Sequence, residues 1–152
     1  MIAYALTIFL SAFLLFQIQP LIGKAILPWF GGAPAVWTTC ILFFQLLLLA
    51  GYAYAHAVAS LLSARAQRRL HVALLVLALA AMGLGAIVWK SPILPGPGWK
   101  PSDPESPVLR ILAVLGASVG LPYFLLSTTG PLLQAWFARS HPGVSPYRLY
   151  AL

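Results

Sequence analysis

Carboxylates are nearly missing from this sequence. Among 152 residues only Asp103 and Glu105 carry one, and both fall in a proline-rich stretch, where an acid–base pair has no rigid element to hold it. Cysteine is limited to Cys40, which excludes an intrachain disulfide framework and a cysteine-based metal cluster. In an apolar run its expected role is that of a small packing residue. Charged residues of either sign make up 7% of the chain and hydrophobic ones 61%, too few charges to coat a soluble surface. The expected solvent for most of the chain is the bilayer. Catalytic signatures are absent too: no G-x-G-x-x-G after a strand, no P-loop, no G-x-S-x-G and no H-E-x-x-H. No catalytic residue, cofactor or metal site is expected, and this chain alone is not expected to be an enzyme.

What is present is a series of long hydrophobic runs with basic residues between them. Nine Lys and Arg against two acids give a net charge of +7. Because the positive charges lie between apolar blocks, membrane topology accounts for them better than nucleic-acid binding does. The expected fold is all-α: a polytopic membrane bundle of about four transmembrane helices, residues 1–152 forming one transmembrane region. The spans are expected at about 2–22, 36–62, 70–89 and 108–137. The second would be about 40 Å long at about 1.5 Å per residue, more than the roughly 30 Å hydrocarbon core, so it must tilt or protrude. The first is expected to be a retained helix rather than a cleaved signal, since no Lys or Arg precedes Lys24 and no clear cleavage site follows.

Between the first two spans, Pro28–Pro34 reads as a turn, with Gly31 and Gly32 free to take positive φ and Pro34 suited to the first turn of the next helix. Trp29 and Trp37 flank it, as amphipathic rings do at a bilayer interface. Ser63–Arg69 reads as a short basic loop. Gly83 and Gly85 would let the third span approach a neighbour closely. Residues 90–107 carry Pro92, Pro95, Pro97, Pro101, Pro104 and Pro107 and read as an irregular aqueous loop. The fourth span is expected to be re-entrant or broken near 127–131, with Pro131 starting a new helix. Placing the compact Arg65, Arg68 and Arg69 group inside, with Arg139 and Arg148, puts both termini in the cytoplasm. Lys24 and the proline-rich loop are then outside.

Polar residues set into these spans are the candidate functional positions. Gln17 and Lys24 lie seven residues apart, on one face of a continuous helix. They could face a cavity; the plainer reading is that Lys24 reaches the interface while Gln17 bonds to another helix. Gln45, Tyr52 and His56 form a second stripe, which could mark a pathway or simply join helices. One histidine without a spaced partner does not make a metal or haem site. His71, beside the arginines, reads as interfacial. Gln134 and Trp136 follow the Gly130-Pro131 pair, where a broken helix could expose backbone to a substrate or merely adjust packing. Together Gln17, Lys24, Gln45, Tyr52, His56 and Gln134 are the candidate intramembrane polar seam.

Three blocks carry a family resemblance: FLLFQIQPLIGKAILPWFGGAPAVWTTCILFFQLLLLAGYAYAH from Phe13, PYFLLSTTGPLLQAWFARS from Pro122, and the closing PYRLYAL. They resemble the amino-terminal membrane region of the bacterial fused transporter-like/spermidine-synthase-like proteins, over nearly the whole chain outside the proline-rich loop. In that family a multi-helix part, related by label to the major facilitator superfamily, precedes a spermidine-synthase-like domain. The resemblance implies that PYRLYAL would run on into further membrane helices and then a Rossmann-like methyltransferase-fold domain. That domain would hold the glycine-rich loop and the carboxylates for decarboxylated S-adenosylmethionine and a polyamine. None of those positions lies in this sequence, so no catalytic residue can be carried over, and fold alone does not fix activity. The implied role is an integral membrane module of the bacterial inner membrane that anchors or positions a cytoplasmic synthase-like domain in polyamine biosynthesis. Its partners would be the bilayer, the following helices and that domain, with room for a homo-oligomer and none for nucleic acid. The alternatives are a permease-like bundle moving a small metabolite, where the lack of carboxylates in the spans argues against polyamine transport by this segment alone, and a non-catalytic structural subunit.

Overall fold

The computed structural model describes residues 1–100 and 107–150. Among them every regular element is helical: α1 (Ile2–Ile26), α2 (Pro34–Leu61), α3 (Ala64–Val88), α4 (Pro107–Leu115) and α5 (Leu121–Ser140). Short 3-10 turns cover Leu27–Phe30, Pro97–Trp99 and Pro146–Tyr150, and a π-helical turn, Gly116–Gly120, joins α4 to α5. Four helical stretches are long and apolar enough to cross a membrane: Ile2–Phe30, Pro34–Leu61, Ala64–Val88 and Val108–Ser140.

The turn between α1 and α2 forms as the residue types dictate. Gly31 and Gly32 take φ of 81° and 66°, a region a Cβ would strain by about 1–2 kcal/mol per residue. Pro34 opens α2, where its missing N–H costs no hydrogen bond. Lys24 sits in the last turn of α1, on the side of the macrodipole that favours a cation. Lys100 places its Nζ 5.7 Å from the Trp29 ring centroid, tying the proline-rich segment to this end. Asp103 and Glu105 lie outside the described residues.

Elsewhere the structure departs from the sequence reading. Ser63–Arg69 is not a loop: α3 begins at Ala64, and Ser63 caps it, its hydroxyl accepting from the Ala66 N–H at 3.4 Å. Ala, Arg and Gln are good helix formers, so only Leu62 and Ser63 separate α2 from α3. The fourth stretch is irregular at Gly116–Gly120, not at 127–131. There the Ser118 hydroxyl donates to the Val114 carbonyl at 2.7 Å, and two glycines ease the wider π turn. Helix α5 runs straight through Pro131. Hydroxyls of Ser127, Thr128 and Thr129 donate back to the Phe124 and Leu125 carbonyls at 2.7–2.9 Å, and the neighbours packed on α5 hold this proline-containing helix together.

Helix α5 is the centre, packed against α1, α2 and α3. The main core joins Ile22 and Ile26 of α1, Val36, Cys40 and Phe44 of α2, Ile111, Val114 and Leu115 of α4, Val119 and Tyr123. Cys40 is buried, as expected of a packing residue. The close approaches fall at Gly51 and Gly23, not at Gly83 and Gly85. A Cβ on Gly23 would lie 2.7 Å from the Trp37 ring, whereas one on Gly83 would meet nothing within 4 Å. Gly85 meets the chain that follows its own helix, at Trp89, Ser91 and Pro92. Helix α3 buries only the stripe Gln67, His71, Ala78 and Gly85, while its leucines and valines, among them Val76, Leu79 and Leu84, face outward.

Candidate functional site

Two polar regions emerge, one between the helices and one at their basic end. The first is a groove of about 250 Å³ bounded by α1, α2, α5 and the turn at Pro146–Tyr150. Gln19, Gln45, Tyr52, Ser127 and Tyr150 give it polar atoms, and Leu15, Leu48 and Leu126 the apolar remainder. Ser127 stands at a close approach of α2 and α5, its hydroxyl 3.3 Å from the Leu47 carbonyl of α2. That approach requires Gly51, since a Cβ there would overlap the Ser127 hydroxyl and lie 2.9 Å from its Cβ. Gln134 donates from Nε2 to the Tyr150 hydroxyl, fixing the turn over the groove. Partial burial, with Tyr52 nearby, holds the Tyr150 phenol above its ordinary range.

The structure thus brings together Gln45, Tyr52 and, through Tyr150, Gln134, and adds Gln19 to them. Gln17, Lys24 and His56 do not line the groove and are exposed. On α1 the inward stripe runs through Ala5, Ile8, Ser11, Ile22 and Ile26. Gln17 and Lys24 lie on the opposite side of the helix by its 3.6-residue period. His56 does continue the Gln45/Tyr52 stripe, but about 16 Å along the axis from Gln45 at about 1.5 Å per residue, past the end of the groove.

The second region is one the sequence reading assigned to a loop. Gln67 is fully buried in the first turns of α3 and joins three helices. Its Nε2 donates to the Leu62 carbonyl at 2.7 Å and, less closely, to that of Ala59 at 3.4 Å. Its Oε1 accepts from the Trp136 indole N–H at 2.8 Å and from Arg139 Nη1 at 3.1 Å. The other Arg139 nitrogen, Nη2, donates to the Ala59 carbonyl. One turn on, His71 is buried, its ring edge-on to Trp136 at 6.1 Å and tilted to Tyr54 at 6.4 Å. The signal for this cluster is the neutral Gln67 among arginines, four residues ahead of His71 on one helix face. Across the same end, Tyr4 of α1 packs edge-on against Phe137 at 5.5 Å.

The arrangement can hold a ligand by hydrogen bonds from amides, hydroxyls and guanidinium groups. Among the described residues, no three His, Cys, Asp or Glu side chains converge as metal ligands would. Comparison with protein-family models, with curated proteins and with solved structures finds no match in any of the three.

Proposed function

We propose that this chain is an integral membrane module, the membrane part of a spermidine-synthase-like protein, which holds a synthase-like domain at the cytoplasmic face. The observation that carries the membrane role is the distribution of exposed side chains. Phe9, Phe13 and Phe16 of α1, Leu46 and Leu49 of α2, and Val76, Leu79 and Ile87 of α3 all present apolar surface outward along the helices. Exposed apolar surface this continuous on a soluble chain would associate or aggregate; in a bilayer it meets its proper solvent. The link to a synthase-like domain rests on the sequence resemblance. A hollow of about 510 Å³ lined by Ile2, Leu6, Phe9, Leu149 and Tyr150 suits the packing of further membrane helices against α1.

Arg65, Arg68, Arg69, Arg139 and Arg148 all belong to the end where α2 meets α3 and where α5 finishes, which by the positive-inside rule is cytoplasmic. A reporter fused after Leu152, active only in the cytoplasm, is expected to be active, and one fused at Gly32 inactive. The reverse pattern would overturn the anchoring role, because a domain carried beyond Leu152 would then face away from the cytoplasm.

The groove of Gln19, Gln45, Tyr52, Ser127 and Tyr150 favours a second reading, a permease-like bundle for a small uncharged or weakly polar metabolite. A π-helical turn lies in the same helical stretch that walls the groove, and such turns are frequent at functional sites. If that reading holds, Gln45→Leu removes an amide on the groove wall and lowers uptake into vesicles by about tenfold, the worth of one well-placed hydrogen bond of about 1.4 kcal/mol. Unchanged uptake with retained folding would exclude it.

A further inference from the structure

We propose that the hollow between Arg68 and Arg139, at the basic end, is a site for the phosphate-bearing headgroup of an anionic membrane lipid. The hollow measures about 320 Å³ and is lined by Tyr4 of α1, Ala64 and Arg68 of α3, and Trp136, Arg139 and Ser140 of α5. Two guanidinium groups from different helices therefore border one space. Among the described residues there is no carboxylate to neutralise them. Arg139 is held in place from below by Gln67 and the Ala59 carbonyl, which uses two of the five donors an arginine carries and leaves the rest for a ligand. The Arg68 side chain makes no hydrogen bond to another described residue and is exposed on the rim. The first turn of α3 adds to the positive potential. Its first backbone bond runs from the Gln67 N–H to the Ser63 carbonyl, so the N–H groups of Ala64 and Arg65 precede the helical ladder and carry the positive end of its dipole.

The position selects a lipid over a free anion. Helices α1 and α3 both pack on α5 but hardly on each other, and the hollow opens in the cleft between them, lined by Tyr4 on one side and Ala64 and Arg68 on the other. Val72 and Leu75, four and seven residues after Arg68 on the same face of α3, are exposed and can accompany acyl chains. A phosphodiester in the hollow would then sit at headgroup depth with its chains in the cleft. Basic pockets between helices on the cytoplasmic side bind anionic headgroups by this chemistry. The inference rests on membrane embedding but not on a synthase-like domain. It is read in detergent whichever side Leu152 occupies, so its failure and that of the topology assignment are separate results.

The test uses the 152-residue chain in neutral detergent, with phosphatidylglycerol, phosphatidylcholine and inorganic phosphate as probes and bound species counted by native mass spectrometry. Phosphatidylglycerol is expected to bind one per chain, to be weakened about tenfold by Arg68→Gln, the loss of one charge-assisted phosphate contact, and to be changed less than about twofold by Arg69→Gln, whose side chain is outside the hollow. Arg68→Gln carries the test because Arg139→Gln would also disturb Gln67. Equal losses in the two variants would mean diffuse surface charge and overturn the site. Equal binding of phosphatidylcholine would overturn its preference for an anionic headgroup. Displacement of the lipid by millimolar inorganic phosphate would assign the hollow to a free anion instead.

Discussion

Gly51→Ala is expected to destabilise the bundle by about 2 kcal/mol, within the range for overfilling a packed interior. Two effects oppose each other here. Alanine is a better helix former than glycine by about 1 kcal/mol, so the substitution would stabilise α2 in isolation. Against that, the new methyl group would overlap the Ser127 hydroxyl, lie 2.9 Å from the Ser127 Cβ and sit 3.3 Å from the Phe124 carbonyl. A hydroxyl can rotate away; a Cβ and a backbone carbonyl on α5 move only with the helix. The shift would part the most extensive helix–helix contact of the fold, that of α2 with α5, and break the Ser127–Leu47 hydrogen bond. Packing therefore outweighs propensity. Unfolding in mixed micelles, followed by circular dichroism, measures the loss. Gly83→Ala, with nothing within 4 Å of the new methyl, is the control and should be neutral or slightly stabilising. Adding Ser127→Gly to Gly51→Ala should recover about 1 kcal/mol relative to the sum of the single changes, a coupling of the size found for residues in contact. Gly51→Ala as stable as the parent would mean that α2 and α5 are not packed at this distance.

The two glycine sites show what was legible and what was not. Hydropathy locates the spans because bilayer crossing depends on a sum over many residues, and that sum survives small errors. The turn at Gly31, Gly32 and Pro34 was equally plain, since positive φ and a missing N–H are properties of single residues. Which glycine meets a neighbouring helix depends instead on which face turns inward, and in helices apolar all round the usual contrast is lost. Gly83 thus looked like a contact and faces outward, while Gly51, inside a long apolar run, drew no attention. The same loss affected α1, where Gln17 and Lys24 were grouped with the seam although Gln19 is the residue that reaches the groove. On α2, Gln45 and Tyr52 line the groove, while His56 on the same stripe lies past its end. At 127–131 the Gly-Pro pair suggested a break. What keeps α5 continuous there is its packing against α1, α2 and α3, which single-residue signals do not carry. The cluster at Gln67 was hidden by charge: three arginines around it implied a solvated loop, whereas a two-residue link and a serine cap start the helix early enough to turn the amide inward.

That inward turn makes Gln67→Leu the other substitution with a large expected effect, about 3 kcal/mol of stability, in the range for breaking a buried hydrogen-bond network. Leucine is close to glutamine in volume, so a cavity contributes little, and the loss reads on the hydrogen bonds alone. Removing the amide strands the half-buried Trp136 indole N–H, which loses its partner at 2.8 Å, at about 1–3 kcal/mol; the Leu62 carbonyl loses its 2.7 Å partner too but belongs to an exposed residue and costs less. Arg139 counts for less, because it is exposed and can turn its freed donor to water. Trp136→Phe, which gives up one donor and leaves the amide its other contacts, should cost about 1 kcal/mol. Gln67→Glu should fall between them. Its carboxylate still accepts from Trp136 and forms a charge-assisted bond with Arg139, but it has no proton to give Leu62 and sets negative charge against that carbonyl. The order Leu, then Glu, then Trp136→Phe, from largest loss to smallest, follows from which donors and acceptors are stranded. Unfolding in mixed micelles with Gln67→Leu within about 0.5 kcal/mol of the parent, the scatter of surface substitutions, would show that the amide does not hold α2, α3 and α5 together at this end.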